Sequence, residues 1–160
     1  MLSVKIICVG RMREKYFTDA FQEYARRLSA YCSFKCTELQ EIRLPDHPGD
    51  KDISAALDKE ALAIIKELPK DGYVVALCIE GRKLSSEQFA ELVQKCENSG
   101  RSKICFLIGG SYGMSERIKQ LADLKLSMSD MTFPHHLARV MVAEQIYRSF
   151  KIIEGSAYHK

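Results

Sequence analysis

Two short apolar runs, separated by one amphipathic segment, constrain the fold of this chain most strongly. The runs are Tyr73–Ile79 and Lys103–Ile108, and their length and content of Val, Ile, Leu and Phe are typical of strands buried on both faces. Between them, Gln88–Asn98 has the periodicity of a helix, with the capping pair Ser85 and Gln88 at its start. Such a strand–helix–strand unit requires parallel pairing, and its crossover helices must cover both faces of the sheet. We therefore expect an α/β fold with a mostly parallel sheet and helices on both faces.

The other segments continue this alternation over the 160 residues, without a linker or repeat that would divide the chain. Residues 1–160 are therefore expected to form one domain. Turn residues at Pro45–Gly49 interrupt the pattern, and we expect a mobile loop there. The remaining predicted elements are a strand Lys5–Val9, a helix Lys15–Leu28, a loosely alternating strand Ser33–Ile42, a helix Ile53–Leu68, a helix Ser115–Leu121, a strand Leu124–Met128 and a helix His136–Phe150.

The composition excludes a disordered chain and a membrane-spanning one. Hydrophobic residues make up 46% and charged residues 28%, which is enough apolar surface for a core. No apolar run approaches the roughly 18 residues that would span a bilayer. The apolar stretch Val4–Val9 precedes Arg11 and Arg13, which reverses the order of a secretory signal. We expect a soluble, cytoplasmic protein whose six cysteines stay reduced, and a net charge of +3 permits an anionic partner without requiring one.

Motifs for metal binding and covalent catalysis are weak in this sequence. Cys32 and Cys36 form the one close cysteine pair, and no second Cys/His pair at zinc spacing accompanies them. The adjacent His135 and His136 lack an H-E-x-x-H pattern or a carboxylate triad. No G-x-S-x-G elbow is present. The sequence therefore predicts no metal and no covalent intermediate.

A glycine-rich segment, Gly109–Gly113, follows directly after the predicted strand that ends at Ile108. In open α/β sheets, ligands bind outside the carboxyl ends of strands, and glycine there lets the backbone approach a ligand closely. The spacing is G-G-x-x-G, which does not meet the dinucleotide fingerprint. From these residues, a ligand site and a plain tight turn both stay open.

A second segment, Leu126–His135, combines hydroxyls, two methionines, an aromatic ring and a proline after a short strand. Its backbone polar groups and soft apolar contacts would suit the adenine and thioether region of a nucleoside ligand. A buried loop is the other interpretation. The glycine-bearing strand end at Gly109–Gly113, upstream in the chain, favours the ligand site.

Charged and terminal residues add further candidates. Arg139 follows shortly after Pro134 and His135, and its guanidinium would either reach a phosphate or substrate carbonyl or stay at the surface. Glu144 and Arg148 have the i, i+4 spacing of an ordinary ion pair. The terminal residues Tyr158 and His159 either dock onto the fold or form a solvated tail.

Several motifs together carry a family resemblance. They are Val9-Gly10, Leu107–Gly113, Leu126–His135, Arg139-Val140, Glu144–Arg148 and Tyr158-His159. In this combination the chain resembles, over essentially its whole length, the family of ribosomal RNA large subunit methyltransferases H within the SPOUT class. The resemblance implies an α/β sheet with a C-terminal trefoil knot, S-adenosylmethionine bound in the knot, and a homodimer. It also implies methylation at N3 of a pseudouridine in the helix 69 loop of 23S ribosomal RNA, on the assembled ribosome.

The resemblance also implies roles for particular residues. Cofactor contacts are expected at Leu77, Gly109, Gly110, Met128, Ser129, Asp130, Met131, Thr132, Phe133 and Pro134, and RNA contacts at His135, Arg139, Tyr158 and His159. Methylation of an imide nitrogen needs a base or a cation that stabilises its anion, for which Arg139 and His159 are the candidates. Cys78 stands where the family tends to carry an acidic residue.

Two other functions remain as alternatives. One is a non-catalytic ribosome-binding factor that keeps the fold, and the other is a nucleotide-dependent metabolic enzyme that uses the glycine loop. Titration with S-adenosylmethionine separates them, because the first would not bind it and the second would prefer a phosphate-bearing nucleotide.

Overall fold

Strands and helices alternate along the whole chain in the computed structural model, which describes residues 1–160. Each element predicted from the sequence is present, although several ends differ. The elements are β1 (Ser3–Val9), α1 (Lys15–Leu28), β2 (Ser33–Leu39), α2 (Asp50–Glu67), β3 (Tyr73–Lys83), α3 (Ser86–Asn98), β4 (Lys103–Ile108), α4 (Glu116–Leu121), β5 (Leu124–Ser127) and α5 (His135–Ile153).

The five strands form one sheet in the order β2-β1-β4-β3-β5, and every neighbouring pair is parallel. The predicted parallel sheet is thereby confirmed. Side chains alternate between the faces, so that along β4 Ile104, Phe106 and Ile108 pack on one face. Cys105 and Leu107 pack on the other. A strand with apolar residues on both sides must be covered on both sides.

Helices cover the two faces of the sheet in unequal numbers. Leu28 of α1, Phe89 of α3 and Ile146 of α5 belong to the larger buried cluster. Ile64 of α2 and Ile118 of α4 belong to the smaller cluster. The prediction of helices on both faces is therefore confirmed, and none of the five helices combines the length and apolar character that crossing a bilayer requires.

β2 is shorter than the sequence predicts. It ends at Leu39 instead of Ile42, because Leu39 is paired with Val9, the last residue of β1. The N–H of Gly10 closes the ladder by donating to the carbonyl of Leu39 at 2.8 Å. The following residues have no strand left to pair with.

Three helices are longer than the sequence predicts, and one of them, α3, begins at Ser86 instead of Gln88. α2 begins at Asp50 because the carboxylate of Asp52 accepts a hydrogen bond from the Gly49 N–H at 3.0 Å, which caps the first turn. α5 begins at His135, directly after a proline, and continues to Ile153. Capping therefore extends α2 at its start, whereas α5 has no side-chain cap and is held by the packing of buried residues such as Ile146 and Phe150.

β3 continues to Lys83, beyond the predicted end at Ile79, and crosses β5 closely. It pairs with β5 in two registers, with Leu126 facing first Leu77 and then Arg82. A Cβ atom on Gly81 would lie 2.6 Å from the backbone carbon of Leu126, so only glycine fits at this crossing. The predicted C-terminal trefoil knot stays a prediction.

Candidate active site

A pocket of about 430 Å³ lies at the carboxyl ends of β3, β4 and β5, and its size is ordinary for a small-molecule site. Because the sheet is parallel, these strand ends meet at one edge, and the loops that follow them form the pocket walls. Eight of the predicted cofactor residues line it: Leu77, Gly109, Gly110, Met128, Ser129, Met131, Thr132 and Phe133. Their role as cofactor contacts stays a prediction, but the fold brings them together.

Two predicted cofactor residues, Asp130 and Pro134, do not line the pocket, and their role as cofactor contacts stays a prediction. Asp130 is exposed, and its carboxylate accepts a hydrogen bond from Lys83 Nζ at 2.7 Å. The backbone turns at this point, where the Met131 N–H donates to the Ser129 hydroxyl at 3.1 Å, which leaves Asp130 on the solvent side. Pro134 is the residue that precedes α5, and it serves to start the helix.

The glycine loop is both a tight turn and a wall of the pocket. The Gly113 N–H donates to the Gly110 carbonyl at 3.1 Å, and Gly113 has a φ of +81°, in the left-handed region. A Cβ atom on Gly109 would lie 2.3 Å from the Gly113 carbonyl oxygen. The glycine at position 109 is therefore required by the backbone of its own loop. The tight-turn interpretation is therefore confirmed, and the ligand-site interpretation stays a prediction that the position of the loop in the pocket wall supports.

Sequence reasoning missed the charged rim of the pocket. Glu80 and Lys119 line it and form an ion pair, with Lys119 Nζ 2.5 Å from Glu80 Oε1. The hydrogen bond from Lys119 lowers the pKa of Glu80. Cys78 also lines the pocket, and burial raises the pKa of its thiol, so that it stays neutral. A carboxylate directly after an apolar strand was the signal that could have found Glu80, because strand ends form this edge.

A second, larger cleft of about 1070 Å³ opens at the carboxyl ends of β1 and β2. Arg11, Arg13 and Arg43 line it, and Tyr112 and His135 line both this cleft and the pocket. The two cavities are therefore neighbours that share a wall. The smaller one is mostly apolar, whereas the larger one is rich in charged groups. Such a pair can hold an apolar cofactor next to an anionic substrate.

The sequence matches a known protein family over almost its whole length. The family model described as a predicted SPOUT methyltransferase matches residues 2–159. The chain belongs to the SPOUT methyltransferase family. It is 42% identical over 159 residues to the ribosomal RNA large subunit methyltransferase H of Bacillus pumilus. The aligned region covers 99% of this chain and 100% of that relative. A relative of the same name from Clostridium botulinum is 42% identical over the same shares of the two chains.

The fold itself also has a solved counterpart. A methylase family protein from Haemophilus influenzae superposes on 100% of this chain and 72% of its own, with a TM-score of 0.57 at 14% identity. At that identity the likeness concerns the fold alone. The resemblance to SPOUT methyltransferases, the α/β class and the parallel sheet predicted from the sequence are thereby confirmed.

The side chain of Arg139 is buried between α5 and the sheet and is not part of either cavity wall. Its side chain is 2% exposed, and its Nη1 donates to Glu38 Oε2 at 2.6 Å. Its Nη2 donates to the Gly10 carbonyl at 3.0 Å. Arg139 lines neither cavity. The surface alternative for Arg139 is therefore wrong, because the guanidinium joins α5 to the ends of β1 and β2. Its contact with substrate stays a prediction.

The C-terminal tail of this methyltransferase docks onto its own chain, so the solvated alternative is wrong. The Tyr158 hydroxyl donates to Glu144 Oε1 at 3.1 Å, and burial together with this carboxylate raises the pKa of Tyr158 to about 12. His159 Nε2 lies 2.7 Å from Glu87 Oε1, and Arg148 Nη1 lies 3.1 Å from His159 Nδ1. The predicted ion pair between Arg148 and Glu144 is confirmed, at 2.6 Å. Within one chain, neither tail residue lines the pocket.

Proposed function

We propose that this chain uses S-adenosylmethionine to methylate N3 of a pseudouridine in the helix 69 loop of 23S ribosomal RNA, on the assembled ribosome in the cytoplasm. The observation that carries the proposal is an apolar pocket at the carboxyl ends of β3, β4 and β5, next to a cleft that three arginines line. Support for the substrate comes from full-length relatives that are named ribosomal RNA large subunit methyltransferase H. The family membership supplies the reaction class.

The pocket suits S-adenosylmethionine by the chemistry of its walls. Strand-end side chains and methionines offer soft apolar surface for the adenine ring and the thioether region, and the loops offer backbone polar groups. The residues that would hold the cofactor are Leu77, Gly109, Gly110, Met128, Ser129, Met131, Thr132 and Phe133. When bound, the cofactor supplies a methyl group on a sulfonium, which a nitrogen with a free electron pair can attack directly.

The residues of this chain have two tasks in such a transfer. The apolar walls exclude water and hold the methyl donor in one orientation, so that the attacking nitrogen needs little further positioning. The imide proton of the base must also leave, since the lone pair of an imide N–H is delocalised into the two flanking carbonyls and only the deprotonated nitrogen is a good nucleophile. Arg139 assists indirectly, because its bonds to Glu38 and Gly10 fix the ends of the strands that border the cleft.

A second copy of the chain completes the site in this proposal. An apolar groove of about 400 Å³ lies between α3 and α5 and shares Leu126, Ser127 and Met128 with the cofactor pocket. Glu144, which accepts the Tyr158 hydroxyl, also lines this groove. A partner that covers the groove would bring its own tail next to the pocket, so Tyr158 and His159 would contact the substrate held by the other subunit.

Isothermal titration calorimetry tests the cofactor part of the proposal. We expect S-adenosylmethionine to bind the wild-type protein, and Thr132→Arg to abolish the binding heat, because the exposed Thr132 lines the pocket and an arginine there would repel the sulfonium. Asp130→Arg is the matched control, since Asp130 lies in the same loop but outside the pocket. Absence of binding to the wild type, or a preference for ATP or a dinucleotide, would contradict the assignment.

A further inference from the structure

His135 lies where the cofactor pocket and the polar cleft meet. Of all the residues that line the two cavities, His135 and Tyr112 alone line both. His135 is also the first residue of α5, a helix that is anchored through its buried faces, so the position of its ring is well defined. A side chain at this junction can contact a base that enters through the cleft while the methyl donor occupies the pocket.

The His135 ring is set up to accept a proton. Burial lowers its pKa, and the neighbouring charges of His136 and Arg139 act in the same direction. Glu41, which follows β2, and Glu14, which precedes α1, oppose this effect without cancelling it. The positive end of the α5 dipole also disfavours the protonated ring. His135 is therefore neutral near pH 7 and offers a free electron pair.

Two other titratable groups in the cavity walls, His136 and Glu80, have charged partners. His136 Nδ1 lies 3.4 Å from Glu14 Oε2, and its Nε2 is buried without a partner. Glu80 is paired with Lys119. The histidine side chains that form hydrogen bonds or ion pairs are those of His136 and His159. Both ring nitrogens of His135 are therefore without a hydrogen-bond partner.

The cleft beside His135 is suited to a polyanion. The guanidinium groups of Arg11, Arg13 and Arg43 border it and form no ion pair with any carboxylate of the chain. Of the acidic residues in the cleft wall, Glu38 is neutralised by the buried Arg139. The unpaired cations can therefore bind the phosphates of a nucleic acid strand and lead a base toward the junction.

We propose that His135 is a catalytic residue that accepts the N3 proton of the target base, which reaches it through the arginine-lined cleft. This inference rests on the proposed function. In the step, the N3–H bond breaks and the proton moves to a free ring nitrogen of His135. The electron pair of that bond forms the new bond from N3 to the methyl carbon. The carbon–sulfur bond breaks at the same time, and its pair stays on the sulfur, which leaves as a neutral thioether.

Single-turnover methylation of ribosomes across pH tests the inference, with His135→Gln as the variant. For the wild type, we expect the rate to rise with pH as His135 loses its proton and to level off above its pKa, which lies below the ordinary value of about 6.5. For His135→Gln, we expect a rate about 100-fold lower on the plateau, as is usual when a general base is lost. The methylation rate of the variant should also no longer increase with pH in the range where His135 loses its proton. The affinity of the variant for S-adenosylmethionine, measured by calorimetry, should stay near that of the wild type.

Chemical rescue separates a proton acceptor from a structural residue. The cleft is large enough to admit imidazole, so adding imidazole should restore part of the activity of His135→Ala, in proportion to the unprotonated fraction of the added base. His47→Ala is the matched control, because it removes a histidine from a loop away from both cavities and should keep the wild-type rate and profile.

The inference about His135 and the proposed function fail in different ways. If the wild type methylates ribosomes and His135→Gln does so with the same rate and pH dependence, the inference is overturned and the proposed function stands. If His135→Ala loses activity and no amount of imidazole restores it, the role as proton acceptor is also overturned. If the wild type transfers no methyl group to ribosomes, the proposed function fails first.

Discussion

Arg139 shows how a single buried charge can fix the geometry beside a candidate site. Its guanidinium holds Glu38 and the Gly10 carbonyl, which lie at the ends of two neighbouring strands. Its Nε is buried without a partner, so the residue is surrounded by protein on all sides. The cost of burying this charge is offset only while both partners are present.

We expect Arg139→Ala to lower the free energy of unfolding by about 3 kcal/mol, the range seen when one partner of a buried ion pair is removed. Urea unfolding measures the loss. Arg117→Ala is the control, because Arg117 is exposed and unpaired and its removal should change stability by less than about 0.5 kcal/mol. Equal stability of the two variants would show that the bond between Arg139 and Glu38 contributes nothing to the fold.

Gly109 illustrates a glycine that its own loop requires. The sequence places it at a strand end, where a side chain would be expected to fill the space of a ligand, but a Cβ atom there points at the Gly113 carbonyl instead. We therefore expect Gly109→Val to lower the melting temperature and the affinity for S-adenosylmethionine together. Thermal unfolding and calorimetry measure the two effects. Gly49→Val, whose Cβ would lie no closer than 3.8 Å to another residue, should change neither. A Gly109→Val protein with normal melting and normal binding would contradict this account.

At the scale of elements, the sequence predicts what local patterns control and misses what distant contacts control. The apolar runs of β3 and β4 and the capping pair of α3 are local, and their elements appear where predicted. The extension of β3 through Glu80–Lys83 is polar and resembles a loop, because only the pairing with β5 makes it a strand. The burial of Arg139 depends on Glu38, 101 positions away, and no local pattern encodes such a contact.

The crossing of β3 and β5 gives a direct prediction for Gly81. An added Cβ would collide with backbone atoms of Leu126, which cannot move as a side chain could. We expect Gly81→Ala to lower the free energy of unfolding by about 3 kcal/mol, at the upper end of overpacking effects. Urea unfolding of this variant beside Gly49→Ala, whose Cβ would make only an ordinary contact of 3.8 Å with Asp52, measures the difference. If both variants unfold at the same urea concentration, the two strands do not cross as closely as the distances indicate.

At the scale of the whole molecule, the site has a complete cofactor pocket but a tail that lies outside it. Tyr158 and His159 are held by α3 and α5 through Glu144, Glu87 and Arg148, next to the apolar groove that a second copy would cover. A tail fixed in this way is placed to serve a neighbouring subunit. The proposed homodimer would then contain two composite sites.

Mixing two inactive variants tests whether the sites are shared. Thr132→Arg blocks the pocket and keeps the tail, whereas a chain truncated after Gly155 keeps the pocket and lacks the tail. In the mixed dimer, one site combines an intact pocket with the intact tail of the other subunit, so methylation activity should return after subunit exchange. If exchange is demonstrated by mass spectrometry of the intact dimers and activity does not return, each subunit works with its own tail.

The most direct measurement of the central claim is the mapping of transferred methyl groups on ribosomes that lack this modification. Purified ribosomes are incubated with the protein and labelled S-adenosylmethionine, and the ribosomal RNA is then digested and analysed by mass spectrometry. We expect one labelled nucleotide, a pseudouridine methylated at N3 within the helix 69 loop, and no label with Thr132→Arg. A protein that binds the ribosomes without transferring label, or that labels a different nucleotide, would contradict the account.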